Sequence, residues 1–343
     1  MIPLKYLAPA WGLLTLVSFS ANAIKITGGE KYDLEVYGIL AISSYFSAAQ
    51  EKASDYTFDN ESYIGFRGNK DLNDNINVIF QIESGYVGYE GKQSGLGTFD
   101  TFIGLRGDWG TVRAGRMKTP MYEIVDWPYT NPGLGRVFDW GGDVPYHYSH
   151  RLSNTLRYDS PDWQPGNFAL SVSRGDTRQS GSTILSGRVT VNLPAAIKLH
   201  LGAEQTRNRI IDESQTFAFA TADTLGYIAG LDVTFPSSTR FYGAFKSGYS
   251  RHNQTGLKSS QRSWSLIVEH WYKNWGAKLG YAANTDALLD GLKMPDTADS
   301  VVALQIMTLI DDTFLPYMRV GYTDAYNADK SDPFLRLGIE FSF

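Results

Sequence analysis

Apolar and polar residues alternate over many short segments of the chain, and residues 335–343 show this most clearly. The apolar positions of this last segment are Leu335, Leu337, Ile339, Phe341 and Phe343. Residues 76–83, 197–204 and 225–235 repeat the pattern. A period of two residues is typical of a β-strand with one apolar face, and in total it predicts about 16 strands. These begin near residues 33, 62, 75, 99, 111, 152, 167, 184, 196, 224, 239, 262, 275, 300, 314 and 333.

The separators between these segments alternate in length. Every second one is short and turn-like, such as 107–110 and 193–196, whereas the others are mostly longer and polar, such as 205–223 and 283–299. Short turns on one rim and long loops on the other are typical of a transmembrane antiparallel β-barrel. A soluble β-sandwich also requires alternation. The charged residues along the polar faces and the apolar last strand favour the all-β barrel, in which closure pairs every backbone group inside the membrane.

Composition changes this interpretation little but sets its limits. Aromatic residues make up 14% of the chain, with 21 tyrosines, 34 glycines and no cysteine. The 36 acidic residues exceed the 31 basic ones, so charge gives no reason to expect nucleic-acid binding. Mean hydropathy is −0.25, which fits strands that turn only alternate residues to lipid.

Residues 1–23 differ from the rest and are interpreted as a signal peptide. Lys5 precedes a mostly apolar stretch that ends near Phe19, and Ala21-Asn22-Ala23 follows as a cleavage site. A short membrane anchor is the alternative, but polar residues, Pro9 and Gly12 interrupt the apolar run. We expect cleavage after Ala23 and a single barrel domain over residues 24–343.

Several stretches resemble the Gram-negative general porins: 61–86, 102–120, 156–161 and 335–343. The resemblance implies a 16-stranded barrel in the outer membrane of a Gram-negative bacterium, usually a homotrimer in contact with lipid and lipopolysaccharide. It implies passive diffusion of ions and small hydrophilic solutes without a cofactor. It also implies that the terminal Phe343 is the assembly signal for the barrel assembly machinery.

Residues 117–150 lack alternation, and a connection this long is usually functional. The family folds its third loop into the lumen here, and residues 137–143, VFDWGGD, resemble the tip of that loop. The resemblance places Asp139 at the pore, has Asp143 fix the loop and maps Arg116 and Arg151 onto the arginines of the opposite wall. Tyr63 stands where the family often has arginine, which weakens that basic cluster.

We therefore expect a constriction in which acidic loop residues face basic wall residues and create a transverse field. The expected members are Glu123, Asp126, Asp139 and Asp143 against Arg116, Arg151 and Arg136, with Tyr63 nearby. For Glu123, Asp126 and Arg136, solvated loop charges are an equal alternative. Trp140 and its neighbouring glycines also fit a tight turn.

The same loop is rich in aromatic residues: Trp127, Tyr129, Tyr146 and Tyr148. Such rings stack on sugars in saccharide-selective porins, or they pack the loop against the wall. Two other classes remain as alternatives. An enzyme would need histidine beside a nucleophile or metal, and the five histidines show no such motif, so no catalytic residue or metal site is predicted. A non-conducting adhesive barrel would have a plugged lumen, which about 16 strands disfavour.

Overall fold

The computed structural model describes residues 24–29, 32–47, 57–85, 95–139, 141, 148–175, 179–212, 220–324 and 332–343. The predicted signal peptide over 1–23 lies outside these residues, as do Trp140, Asp143 and Tyr146. No helix within the described ranges is long and apolar enough to span a membrane.

The described residues form one antiparallel sheet with two short helices in one connection. The strands are β1 Ile24–Gly29, β2 Tyr32–Ser47, β3 Thr57–Asn60, β4 Tyr63–Asn73, β5 Ile76–Gly85, β6 Thr101–Gly107, β7 Gly110–Lys118, β8 Arg151–Asp159, β9 Gly166–Arg174, β10 Thr183–Leu193, β11 Ile197–Asp212, β12 Ala220–Thr234, β13 Thr239–His252, β14 Lys258–Tyr272, β15 Trp275–Asn284, β16 Leu288–Leu289, β17 Leu292–Lys293, β18 Asp299–Thr308, β19 Phe314–Asp324 and β20 Asp332–Ser342. The helices are α1 Pro120–Asp126 and α2 Gly135–Phe138.

The sheet closes on itself because β2 pairs with β20, from Ile39 opposite Ser342 to Ser47 opposite Phe334. β1 and β20 pair with different parts of the same edge of β2, so together they occupy one strand position in the wall. Along the other edge of β2, β3 and β4 together form a single interrupted strand. The β16–β17 hairpin extends one connection and pairs with β14. The wall therefore has 16 strand positions, which confirms the predicted barrel.

The outer face of the wall is apolar. In β18, Val302, Leu304 and Ile306 are about 40% exposed, whereas Ala303 and Gln305 between them are almost fully buried. Exposed aliphatic and aromatic residues recur at alternate positions around the other strands. A water-soluble protein has the opposite arrangement, with polar residues on its outer surface. An apolar outer face is what a wall surrounded by lipid requires.

The connection between β7 and β8 packs against the inner face of the wall. Thr119 caps α1, because its hydroxyl accepts a hydrogen bond from the Tyr122 amide, and Pro120 fills the first helical position. α1 contacts β9 to β12, and α2 contacts β14, β15 and β18. We call residues 119–139 the inner segment.

The buried apolar core lies between the inner segment and the wall. Met121, Val125 and Phe138 have no exposed surface. On the wall side the core contains Ile228, Tyr242, Ala244, Ile267, Ala282, Val301, Ala303 and Phe334. In this arc the inner face of the barrel therefore carries apolar residues among its polar ones, because it is covered by chain rather than by water.

Candidate pore constriction

A cavity of about 880 Å³ lies between the inner segment and the opposite wall. The wall contributes residues of β2, β4, β5, β7, β8, β19 and β20. The lining residues are Tyr45, Glu61, Tyr63, Glu83, Phe99, Asp100, Lys118, Tyr122, Asp126, Trp127, Thr130, Asn131, Gly133, Gly135, Arg136, Asp139, Arg151, Arg319, Phe334 and Arg336. We call this cavity the eyelet.

The inner segment presents two acidic side chains, Asp126 and Asp139, and one basic side chain, Arg136, to the eyelet. Asp126 accepts a hydrogen bond from the Lys118 ammonium at 2.5 Å. Asp139 lies 3.2 Å from the His150 ring nitrogen Nε2 and accepts a hydrogen bond from the Tyr148 hydroxyl at 2.5 Å. Burial, reinforced by Asp139, raises the pKa of Tyr148 well above its usual value, so its hydroxyl stays protonated and donates.

The opposite wall also carries both signs. The Arg151 guanidinium donates to Asp100 at 2.7 Å and lies 3.7 Å from Glu83. The same guanidinium lies over the Phe99 ring, 3.9 Å from its centroid. Arg336 donates to Asp59 at 2.6 Å. These cations are held by carboxylates and rings of their own wall and so point into the eyelet from fixed positions.

The charges that line the eyelet balance. Five basic side chains face five acidic ones. The basic residues are Lys118, Arg136, Arg151, Arg319 and Arg336, and the acidic residues are Glu61, Glu83, Asp100, Asp126 and Asp139. Such a lining produces local fields but no large net potential of one sign.

Aromatic rings fill much of the remaining lining. Tyr63 and Phe99 lie side by side with ring centroids 6.4 Å apart, and Tyr45 lies beside Phe334 at 5.8 Å. Trp127 projects from the inner segment and has the Lys278 ammonium over its ring at 5.1 Å. Rings from both sides of the eyelet therefore offer apolar faces next to charged and hydrogen-bonding groups.

Glu123 ties α1 to the wall. Its carboxylate accepts two hydrogen bonds from Arg157, at 2.6 and 2.7 Å, and a third from Arg188 at 3.0 Å. Burial favours the neutral form of Glu123, but the two guanidinium groups outweigh it and hold the pKa of this carboxyl below its usual value. Glu123 is thus ionised and engaged in anchoring α1.

Further contacts fix the rest of the inner segment. The buried Lys246 ammonium donates to the Phe138 carbonyl oxygen, and the Asn284 amide donates to the Val137 carbonyl oxygen at 2.9 Å. The Tyr129 ring lies over Gly230, where any side chain would overlap its hydroxyl. Glycine at this inner-face position therefore makes the seat for the tyrosine ring.

The structure brings five of the expected residues together at the eyelet: Tyr63, Asp126, Arg136, Asp139 and Arg151. Glu123, a residue of α1, lies between that helix and the wall, where it binds Arg157. Arg116 lies in a neighbouring cavity at the rim with the long connections, where it donates to the Thr98 carbonyl oxygen at 2.8 Å. Asp143 lies outside the described residues.

Sequence reasoning missed several lining residues. Lys118 lies at the end of β7, beyond a register shift between Gly115 and Met117 that the alternation does not reveal. Phe99 and Asp100 lie just before β6, although the alternation predicts that this strand begins near residue 99. One usable signal was present: strands β12 to β15 and β18 carry apolar residues on both faces, as at Val301 and Val302, which marks the wall that the inner segment covers.

Within the described ranges, no group of three or more histidine, aspartate or glutamate side chains is arranged to hold a metal ion.

Comparison with known proteins gives consistent results. The family model described as Gram-negative porin matches residues 10–303. The chain is 36% identical over 360 residues to the chitoporin of Vibrio furnissii, with 96% of each chain covered. It is also 30% identical over 135 residues to the major outer membrane protein P.IB of Neisseria gonorrhoeae, covering 38% of this chain and 37% of that protein.

Solved structures share the fold. The anion-selective porin from Comamonas acidovorans superposes with a TM-score of 0.74 at 16% identity, covering 91% of this chain and all of that one. The loop L8 deletion mutant of OmpT from Vibrio cholerae gives 0.75 at 12% identity, covering 92% and 100%. Together with a closed barrel that is apolar outside, these findings show that the chain belongs to the Gram-negative porin family and forms a channel in the outer membrane.

Proposed function

We propose that the eyelet is the selectivity-determining constriction of this channel and that it favours neutral saccharides over ions of either sign. The observation that carries the proposal is its lining: balanced charges and aromatic rings on both sides. Sugars present apolar ring faces edged with hydroxyl groups, and these match aromatic faces next to charged hydrogen-bonding groups. Passage by diffusion needs no catalytic group, cofactor or metal.

The relatives support this preference. The Vibrio furnissii relative that aligns over 96% of the chain is named chitoporin, which indicates a saccharide derived from chitin as the solute of that protein. We infer an oligosaccharide of the same kind for this channel. The inner segment narrows the lumen and sets the size limit, while the rings slow and orient the sugar.

Liposome swelling tests the saccharide preference. Rates should saturate with chitin-derived oligosaccharides and fall smoothly with mass for unrelated sugars. Trp127→Ala removes an eyelet ring and should raise the half-saturating concentration several-fold. Trp275→Ala, on the exposed outer face, is the matched control and should behave as the wild type. If all sugars follow one smooth dependence on mass, the channel sieves without binding and the preference is wrong.

Reversal potentials in planar bilayers test the charge assignments. The wild type should discriminate weakly between K⁺ and Cl⁻, because the lining charges balance. The double variant Lys118→Gln/Arg151→Gln should favour cations, and Asp126→Asn/Asp139→Asn should favour anions. Unchanged reversal potentials in both double variants would show that ions do not pass this lining. A barrel that gives no open steps at all would instead be the non-conducting, adhesive alternative.

We further propose a homotrimer in contact with outer-membrane lipid and lipopolysaccharide, with Phe343 recognised by the barrel assembly machinery. Trimerisation is supported by a structural relative, OmpT of Vibrio cholerae, described in a trimer form and superposing with a TM-score of 0.68. Phe343 completes the sheet closure, because its backbone exchanges hydrogen bonds with Gly38 at 3.0 and 3.1 Å. Native mass spectrometry of the detergent-extracted protein gives the subunit number directly, and a monomer would refute the trimer.

A further inference from the structure

A second cavity, of about 410 Å³, lies where β7 to β11 reach the rim with the long connections. Four arginines line it: Arg116, Arg151, Arg174 and Arg209. The other described lining residues are neutral, and none of them is aspartate or glutamate. This composition differs from that of the eyelet, where the two signs balance.

Two of these arginines, Arg116 and Arg174, have no carboxylate partner among the described residues and leave positive charge in the cavity. Arg116 donates to the Thr98 carbonyl oxygen at 2.8 Å and to the Ser153 hydroxyl at 3.3 Å, both neutral acceptors. Arg174 is exposed and forms no ion pair with a carboxylate of the described residues. Arg151 alone of these three is paired, with Asp100 on its eyelet side at 2.7 Å.

Like charges gathered around one cavity repel, and a bound anion relieves that repulsion. Guanidinium groups match the oxygens of phosphate, because their paired N–H donors can bind two oxygens at once. A phosphate group carries nearly two negative charges and several strong acceptor oxygens. We propose that this rim cavity binds a phosphate group, either free in solution as phosphate or a phosphate monoester, or as part of a lipid headgroup.

The rim cavity and the eyelet share Arg151. An anion bound near that guanidinium offsets its positive charge within one Debye length, about 8 Å at physiological salt. Occupation of the rim cavity should therefore shift the selectivity of the channel towards cations. This proposal does not depend on the saccharide preference, which concerns the eyelet rings.

The first experiment uses inorganic phosphate. Isothermal titration of the detergent-solubilised porin at constant ionic strength should show saturable binding. Arg116→Gln/Arg174→Gln removes two guanidinium donors and should weaken binding about tenfold or more. Arg207→Gln, an exposed arginine of β11 outside the cavity, makes the same type of change and should bind as the wild type. If the double variant does not fold, the single variant Arg174→Gln replaces it, because Arg174 is exposed. This single variant should also weaken phosphate binding.

The second experiment distinguishes the two sources of phosphate. Nanodiscs of phosphatidylcholine with and without lipid A, which carries phosphate groups, are compared by thermal unfolding. If the occupant is a lipid phosphate, lipid A raises the unfolding temperature of the wild type and of Arg207→Gln but not of the double variant. If it is free phosphate, only added phosphate has this effect, and it also shifts the reversal potential towards cations. The proposal is wrong if the double variant Arg116→Gln/Arg174→Gln and the control Arg207→Gln respond equally to phosphate and to lipid A, in binding and in unfolding temperature.

Discussion

The contact of Glu123 with the wall can be removed by a single substitution, Glu123→Gln. The glutamine keeps one acceptor oxygen but turns an amide group towards the guanidinium of Arg157. Arg157 is only 2% exposed and would keep Asp159 and the Lys118 carbonyl oxygen as partners. We therefore expect α1 to be held less tightly, while the wall stays intact.

The magnitude follows from the bonds lost. A hydrogen bond to a charged group contributes about 1.5–3 kcal/mol, and more than one of the three is lost. The Glu123 side chain is 31% exposed, so water replaces part of this loss. An estimate of about 2 kcal/mol corresponds to a roughly 30-fold larger population with α1 detached.

Amide hydrogen exchange over residues 119–139 measures this population, because local opening is sampled separately from global unfolding. We expect exchange there to accelerate by about 30-fold and the size limit in liposome swelling to rise. Glu35→Gln is the matched control, because Glu35 forms an exposed ion pair with Arg67 at 2.8 Å on β2 and β4. If Glu123→Gln exchanges at the same rate as the wild type, or if Glu35→Gln accelerates exchange equally, Glu123 does not anchor α1.

Three further predictions concern the same contacts and the closure of the sheet. The pKa of Glu123 is lowered in the folded protein, so its carboxylate stabilises α1 fully above the ordinary glutamate pKa of about 4.3, and this stabilisation is lost as the pH falls through the lowered value. Amide hydrogen exchange over residues 119–139 should therefore accelerate only in acid, and Glu123→Gln should lack this pH dependence. Gly230→Ala should displace the Tyr129 ring and enlarge the pore in swelling assays, whereas Gly243→Ala, whose new methyl would meet its nearest neighbour at 3.2 Å, should not. Deletion of Phe343 should reduce the heat-modifiable, folded fraction recovered from outer membranes, and a recovery equal to the wild type would contradict its role in assembly.

The positions of the strands follow from local alternation. Predicted starts at 239, 275 and 314 coincide with the observed ones, because each residue of a lipid-facing strand experiences either hydrocarbon or the lumen. The second wall strand begins earlier than predicted, at Thr57, since Glu61 and Ser62 interrupt its pairing. β12 and β14 also begin four residues earlier, at Ala220 and Lys258, in polar sequence where alternation no longer separates two environments.

The contents of the eyelet depend on contacts distant in sequence. Arg116 and Lys118 are two residues apart, but the irregular pairing between Gly115 and Met117 separates them into different cavities. A slip of one residue reverses the direction of a side chain in a strand, and no local pattern records it. Similarly, the sequence left Glu123 open between a pore residue and a solvated loop charge, whereas Arg157 and Arg188 on two other strands bind its carboxylate between α1 and the wall.

The sequence by itself determined a closed, lipid-exposed barrel, the order of its strands and the one connection long enough to enter the lumen. It could do so because these features depend on each residue's own polarity and on its immediate neighbours. Only the tertiary structure decided which charges and rings meet across the lumen, since opposite walls come together through barrel closure and through the packing of residues 119–139 on the inner face.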